Sequence, residues 1–249
     1  LDTAQIRNAA EDYDESLKGD QDMDLLDFAR GPALTFALAV FVLGIAWRLV
    51  HLWRRPRLSD LSTPREGAPT PLAGAGRAIL RGMWPRKAFS GRTRHVTANG
   101  YVLHIGLALV FLGYAPHIAF VRRVTGLGWP ALPDSLMYLA AAATFVALLL
   151  ALAMRLTDPV RRKISGADDY LTWVIVLLPM FTGMAVLNEP SAAVLARDHV
   201  IYRGPLAVHL LTLELLLVWF PFGKLMHAVL FVFSRGATGV RFSHRGVDA

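Results

Sequence analysis

The sequence predicts an all-α integral membrane protein, a bundle of five transmembrane helices with the N-terminus outside and the C-terminus in the cytoplasm. Three observations predict it. Hydrophobic residues fill 54% of the 249 positions and mean hydropathy is +0.41, too apolar for an ordinary soluble domain. Five stretches, roughly 33–53, 97–121, 136–155, 169–188 and 205–233, approach or exceed the about 20 residues a helix needs to cross ~30 Å of hydrocarbon. Five crossings put segment 54–95, the connection between spans three and four, and the C-terminus on one side. That side carries seventeen Lys and Arg against seven on the other, which marks it as cytoplasmic.

Residues 1–30 form an acidic N-terminal segment outside, with nine acids against three bases and no apolar core. This is unlike a secretory signal, so the first span is the targeting signal itself. Arg30-Gly31-Pro32 suits the start of that span, where proline's missing donor is tolerated. Its inner end, Trp47 to Arg55, has the aromatic and basic anchors of an interface. The basic loop 54–95 is rich in Pro, Gly and Arg and reads as irregular, with Arg77–Trp84 lying amphipathically on the membrane surface. It is also the largest cytoplasmic surface for a partner. Gly128–Asp134 joins spans two and three, and Thr157-Asp158-Pro159 ends span three, both with turn and cap chemistry. The membrane domain thus covers 31–235, followed by a cytoplasmic tail, 236–249.

There are no cysteines, which excludes disulfides and thiolate ligation, so any iron–sulfur cluster belongs to a partner. The formal net charge of +7 clusters beside spans, where topology and anionic headgroups explain it better than nucleic acid does. The chain shows no internal repeat, phosphate-cradling glycine loop or Gly-xxx-Gly pair within a span.

Histidines carry the chemistry. Ionisable residues in a membrane are costly and usually functional, and neutral imidazole is a common ligand of haem iron. His209 and His227 lie eighteen residues apart in the last span; on one helix that is the same face after five turns, about 27 Å further on. In span two, His104 is inner and His117 outer. Span five runs the other way, so His104 can face His227 and His117 can face His209, each pair holding one low-spin haem b with no open coordination site. On an ideal helix His104 and His117 are separated by about 20 Å and about 220°, so they do not share a face; Pro116 should distort the turn beside His117. A tetrahedral zinc site wants three or four clustered ligands, which matched pairs do not supply. His51 and His95 read as solvated; His199 and His244 have no partner visible in the sequence.

Other polar residues carry weaker signals. Glu214 is a candidate proton acceptor for quinol beside the outer pair, or a carboxyl paired between helices. Lys224 is a candidate propionate contact for the inner haem, or a side chain snorkelling to the interface. Arg122 and Arg123 are candidate outer propionate contacts, with interface anchoring as the alternative.

Tyr101-Val-Leu-His104-Ile-Gly-Leu, Ala115-Pro116-His117-Ile118, the Trp129–Asp134 turn, Leu156–Pro159, Asp168-Asp169-Tyr170, and above all His209-Leu-Leu with Phe220-Pro221-Phe222-Gly223-Lys224-Leu225-Met226-His227 resemble the b-type cytochrome family of the respiratory nitrate reductase gamma subunit. The resemblance spans about residues 30–235. It implies two b haems between spans two and five, quinone exchange on the outer side, and a cytoplasmic iron–sulfur subunit. His104, His209 and His227 match its ligand positions. The nitrate-reductase branch has its fourth histidine where this chain has Tyr114; His117 resembles instead the branch accompanying heterodisulfide-reductase-like, sulfite-reductase-associated and hydrogenase-associated complexes.

The expected function is a membrane dihaem cytochrome b of a bacterial or archaeal cytoplasmic membrane, relaying electrons between the quinone pool and an iron–sulfur partner subunit, as the electron-transfer part of an oxidoreductase. The alternatives are a non-redox membrane anchor or assembly subunit, and a proton-coupled transporter.

Overall fold

The computed structural model describes residues 24–56, 61–84, 90–186 and 203–247, and among these every regular element is helical. In chain order they are α1 (Leu25–Arg54), α2 (Pro71–Arg81), α3 (Ser90–Gly113), α4 (Ala115–Thr125), α5 (Asp134–Thr157), α6 (Pro159–Ile164), α7 (Ala167–Val186), α8 (Arg203–Trp219) and α9 (His227–His244). Four of them, α1, α3, α5 and α7, are long and apolar enough to cross a membrane, and α8 with α9 makes a fifth candidate, bent by 72° at a short break. The chain is therefore an all-α protein with four to five membrane-crossing helices. Most of the acidic segment, residues 1–23, lies outside the described residues, as does the connection 187–202 with His199.

The first helix does not start at Gly31-Pro32. It begins at Leu25 and passes through that dipeptide as a widened π-turn, Ala29–Ala33. The turn accommodates Pro32, which lacks the N–H for a regular turn, and Thr35 Oγ1 donates to Gly31 O at 3.0 Å. Burial favours continuation: Leu26 and Ala29 are fully buried, on a segment that packs against α8.

The membrane helices form an arc in which α3 packs on α5, α5 on α7, α7 on α8, and α8 on α1. Small residues set the α3–α5 contact. Gly106 and Gly113, two turns apart on α3, abut Thr144 and Met137 of α5, and a Cβ at either would collide with them. Van der Waals packing of small residues is what drives helix association in lipid. Direct contacts between α3 and α8 are few, and the histidine pairs stand across that gap.

Span two and span five are each broken, which overturns the picture of His209 and His227 on one face of a continuous helix. The 97–121 span ends as a straight helix at Gly113, and extended Tyr114 (φ −81, ψ 128) starts α4. The 205–233 span breaks over Phe220–Gly223. There Pro221 is fully buried against Gly44 of α1, and Gly223 sits where a Cβ would strike the Trp219 indole. The basic loop, expected to be irregular with Arg77–Trp84 amphipathic on the membrane surface, is helical over Pro71–Arg81, and one face of this α2 is covered by protein: Gly74 and Ala78 meet Gly239 of α9. His244 also has a partner, its Nε2 donating to Ser62 O at 2.9 Å.

Candidate haem-ligand sites

The break in span two builds the His117 site. A regular helix would bond the carbonyls of Val110, Leu112 and Gly113 to the N–H groups of residues 114, 116 and 117; extended Tyr114 and Pro116 remove these donors. The carbonyls are satisfied otherwise, as buried backbone groups must be. His117 Nδ1–H donates to Val110 O at 2.9 Å, Trp129 Nε1–H to Leu112 O at 2.5 Å, and Leu132 N–H to Gly113 O at 2.9 Å. The distortion that Pro116 signals in the sequence thus turns the imidazole and fixes its tautomer. Tyr114, on the break itself, lies edge-on to His117 with ring centres 5.3 Å apart.

The other three histidines are tied in the same way. His104 Nδ1–H donates to Gly100 O one turn back at 2.7 Å, and His227 Nδ1–H donates to Lys224 O at 2.8 Å. His209 Nδ1 lies 3.1 Å from Thr182 Oγ1 of α7, whose own hydroxyl donates to Leu178 O at 2.8 Å. The same hydroxyl lies 3.0 Å from Thr212 Oγ1, so it ties the ring to α7 and α8 together. In His104, His117 and His227 the carbonyl partner puts the proton on Nδ1 and leaves Nε2 with its lone pair, the state in which metal-bound histidines are held by their outer partners.

The structure brings the four histidines together as two pairs. His104 and His227 have ring centres 6.1 Å apart at an interplanar angle of 84°; His117 and His209 are 6.2 Å apart at 17°. Two metal–imidazole bonds of about 2 Å, with about 1 Å from each nitrogen to its ring centre, put axial imidazoles about 6 Å apart. The ring separations of both pairs match that spacing. Among the described residues no three of His, Asp and Glu gather as a metal cluster.

The charged candidates sit differently from the histidines. Lys224 Nζ is 2.5 Å from Asp169 Oδ2, so its ammonium is engaged by a carboxylate at the start of α7. Arg122 is five residues from His117, about 140° around α4, and faces a separate hollow of about 570 Å³ with Ile118, Gly128 and Trp129. Arg123 is exposed, about 120° from His117 on the other side. Glu214 is likewise about 140° around α8 from His209. It is buried, and neither carboxylate oxygen has a hydrogen-bond partner. Sequence reasoning missed Thr182 and Asp169 as supporting residues. For Thr182 the signal was Pro179 three residues earlier, which opens a helical turn beside a hydroxyl.

No family model and no solved structure matches this chain. A curated protein of Nitratidesulfovibrio vulgaris is 28% identical over 229 residues, covering 87% of this chain and 92% of that one. The similarity runs over most of both chains.

Proposed function

We propose that this chain is a membrane dihaem cytochrome b that relays electrons between the quinone pool and a cytoplasmic iron–sulfur partner subunit. One observation carries the reading: two histidine pairs, each with the ring separation of axial ligands and each imidazole held through Nδ1. The motifs resembling the nitrate reductase gamma family support it, as does a cysteine-free composition that leaves iron–sulfur chemistry to another subunit. Bound haem supplies the one-electron chemistry. The chain's residues fix the ligand tautomers, set the ring planes and hold the helices apart. The orientation favoured by the basic connections would set the His104/His227 pair toward the cytoplasm and the His117/His209 pair toward the outer face, the side on which quinone would react in this reading.

The test is a reduced-minus-oxidised visible spectrum with a haem-to-protein ratio on purified material. The expected result is b-type bands and a ratio near two. Haem-free protein would remove the cytochrome reading and leave the anchor and transporter alternatives.

A narrower test concerns Gly183 of α7. A Cβ there would lie 3.0 Å from His209 Cε1, closer than side chains ordinarily tolerate. Gly183→Ala is expected to alter the low-spin electron paramagnetic resonance (EPR) signal of the outer haem and spare the inner one. An unaltered outer signal would detach His209 from that haem.

A further inference from the structure

We infer that Asp169 is a positioning residue for His227, setting the plane and orientation of the inner ligand through Lys224. The inference rests on the reading of His227 as a haem ligand given above. Asp169 occupies the first turn of α7 with its side chain 10% exposed. Its Oδ1 lies 2.7 Å from Arg155 Nη1 at the end of α5, and its Oδ2 lies 2.5 Å from Lys224 Nζ and accepts the Gly166 N–H at 3.0 Å. Arg155 also donates to Ser165 Oγ at 3.1 Å. Both oxygens of this largely buried carboxylate are thus engaged, by the half-exposed ammonium of Lys224 and the partly exposed guanidinium of Arg155.

Lys224 is the link. Its side chain is anchored by Asp169, and its backbone carbonyl accepts the Nδ1–H of His227. Lys224 also opens the 3₁₀ turn Lys224–Met226, which joins α8 to α9 after the break. A helix continuing through this segment would fix His227 by its own hydrogen-bond ladder; here the chain has turned by 72°, and the orientation of the ring must come from contacts across the break. Met226 is buried, and Trp219 Nε1 reaches Thr172 Oγ1 at 3.4 Å, so α7 holds both flanks of the break. Of these contacts, the Asp169–Lys224 pair reaches the residue that bonds the imidazole. Outer partners of metal-bound histidines tune ligand orientation and basicity, and Asp169 acts one residue further out.

The experiment uses the full chain in membranes, with Asp169→Asn, Asp169→Glu and Lys224→Met. Two readouts are taken: EPR signals with redox titration of each haem, and the distance between spin labels. The cysteine-free chain allows labels at Leu171→Cys on α7 and Val232→Cys on α9, both exposed. Asp169→Asn is expected to shift the inner g values, raise the inner midpoint potential by removing a negative charge near it, leave the outer haem unchanged, and broaden the α7–α9 label distance. Asp169→Glu should restore the g values. Lys224→Met, which keeps Asp169 paired with Arg155, should reproduce the g-value change even if the Asn variant fails to fold. Unchanged inner g values in Lys224→Met, or equal shifts of both haems, overturn the inference. If the wild type holds no haem, the proposed function fails separately, and the label distance alone decides: a distribution as narrow in Asp169→Asn as in the parent overturns the clamp, and a broadened one supports it.

Discussion

Replacing His227 with alanine is expected to remove one haem of the two and leave the other spectroscopically intact, and His104→Ala is expected to remove the same one. His117→Ala and His209→Ala should together define the second. The expectation follows from the proposed function and from geometry: each haem would be held by one histidine pair whose rings are about 6 Å apart, so losing either member would leave a single protein ligand. The haem-to-protein ratio should fall from near two to near one in each single variant. The two haems should also differ in kind. On bound haem, ring planes at 84° would leave the iron dπ orbitals nearly degenerate and give a strongly anisotropic low-spin signal, while planes at 17° would split them and give a rhombic one. His104→Ala and His227→Ala should delete the anisotropic signal, the other two variants the rhombic signal. A different grouping, such as His104→Ala and His117→Ala deleting one signal between them, would disprove the pairing across the two helices.

The pairing was legible in the sequence and the helix geometry was not, for a physical reason. Four histidines in two apolar segments run in opposite directions, and depth alone matches inner with inner and outer with outer. Rotation about the helix axis, however, follows from residue spacing only where helices are unbroken. On that basis His209 and His227 shared a face while His104 and His117 did not. Both helices are in fact broken, at Tyr114 and at Phe220–Gly223, and each break re-aims the histidine that follows it. Pro116 and Pro221-Phe222-Gly223 announce the breaks, but a proline in a span says only that a hydrogen bond is missing, not which direction the chain takes. The direction is set at long range, by Gly44 receiving Pro221 and by Asp169 holding Lys224. The same limit applies to Pro32, where a similar signal leads to a π-turn and not a helix start. The Nδ1 partner of His117 was equally out of reach, because Val110 O becomes free only once the helix has broken.

Glu214→Leu is expected to stabilise the protein while slowing its reaction with quinol. Ala207, Glu214 and Pro221 are seven residues apart in turn and all buried, with Pro221 seated on Gly44 of α1; this is the face of α8 that packs on α1. Phe220, next to Pro221, makes an edge contact with Phe41 at 5.1 Å. Neither oxygen of Glu214 has a hydrogen-bond partner in this setting, and an unsatisfied buried polar group costs about 1–3 kcal/mol. Leucine of similar volume should recover most of that, read as a higher midpoint in thermal unfolding of the purified protein. A residue that lowers stability without structural return is retained where it works, and the work open to a carboxyl on this helix is to carry a proton when quinol gives up two electrons and two protons. In Glu214→Leu both haem signals should persist and chemical reduction of the haems should be unaffected, while reduction by quinol slows. If quinol reduces the variant as fast as the parent, the carboxyl has no part in proton transfer. A loss of stability would show instead that Glu214 has a structural partner, and would move it from the functional residues to the packing of α1 on α8.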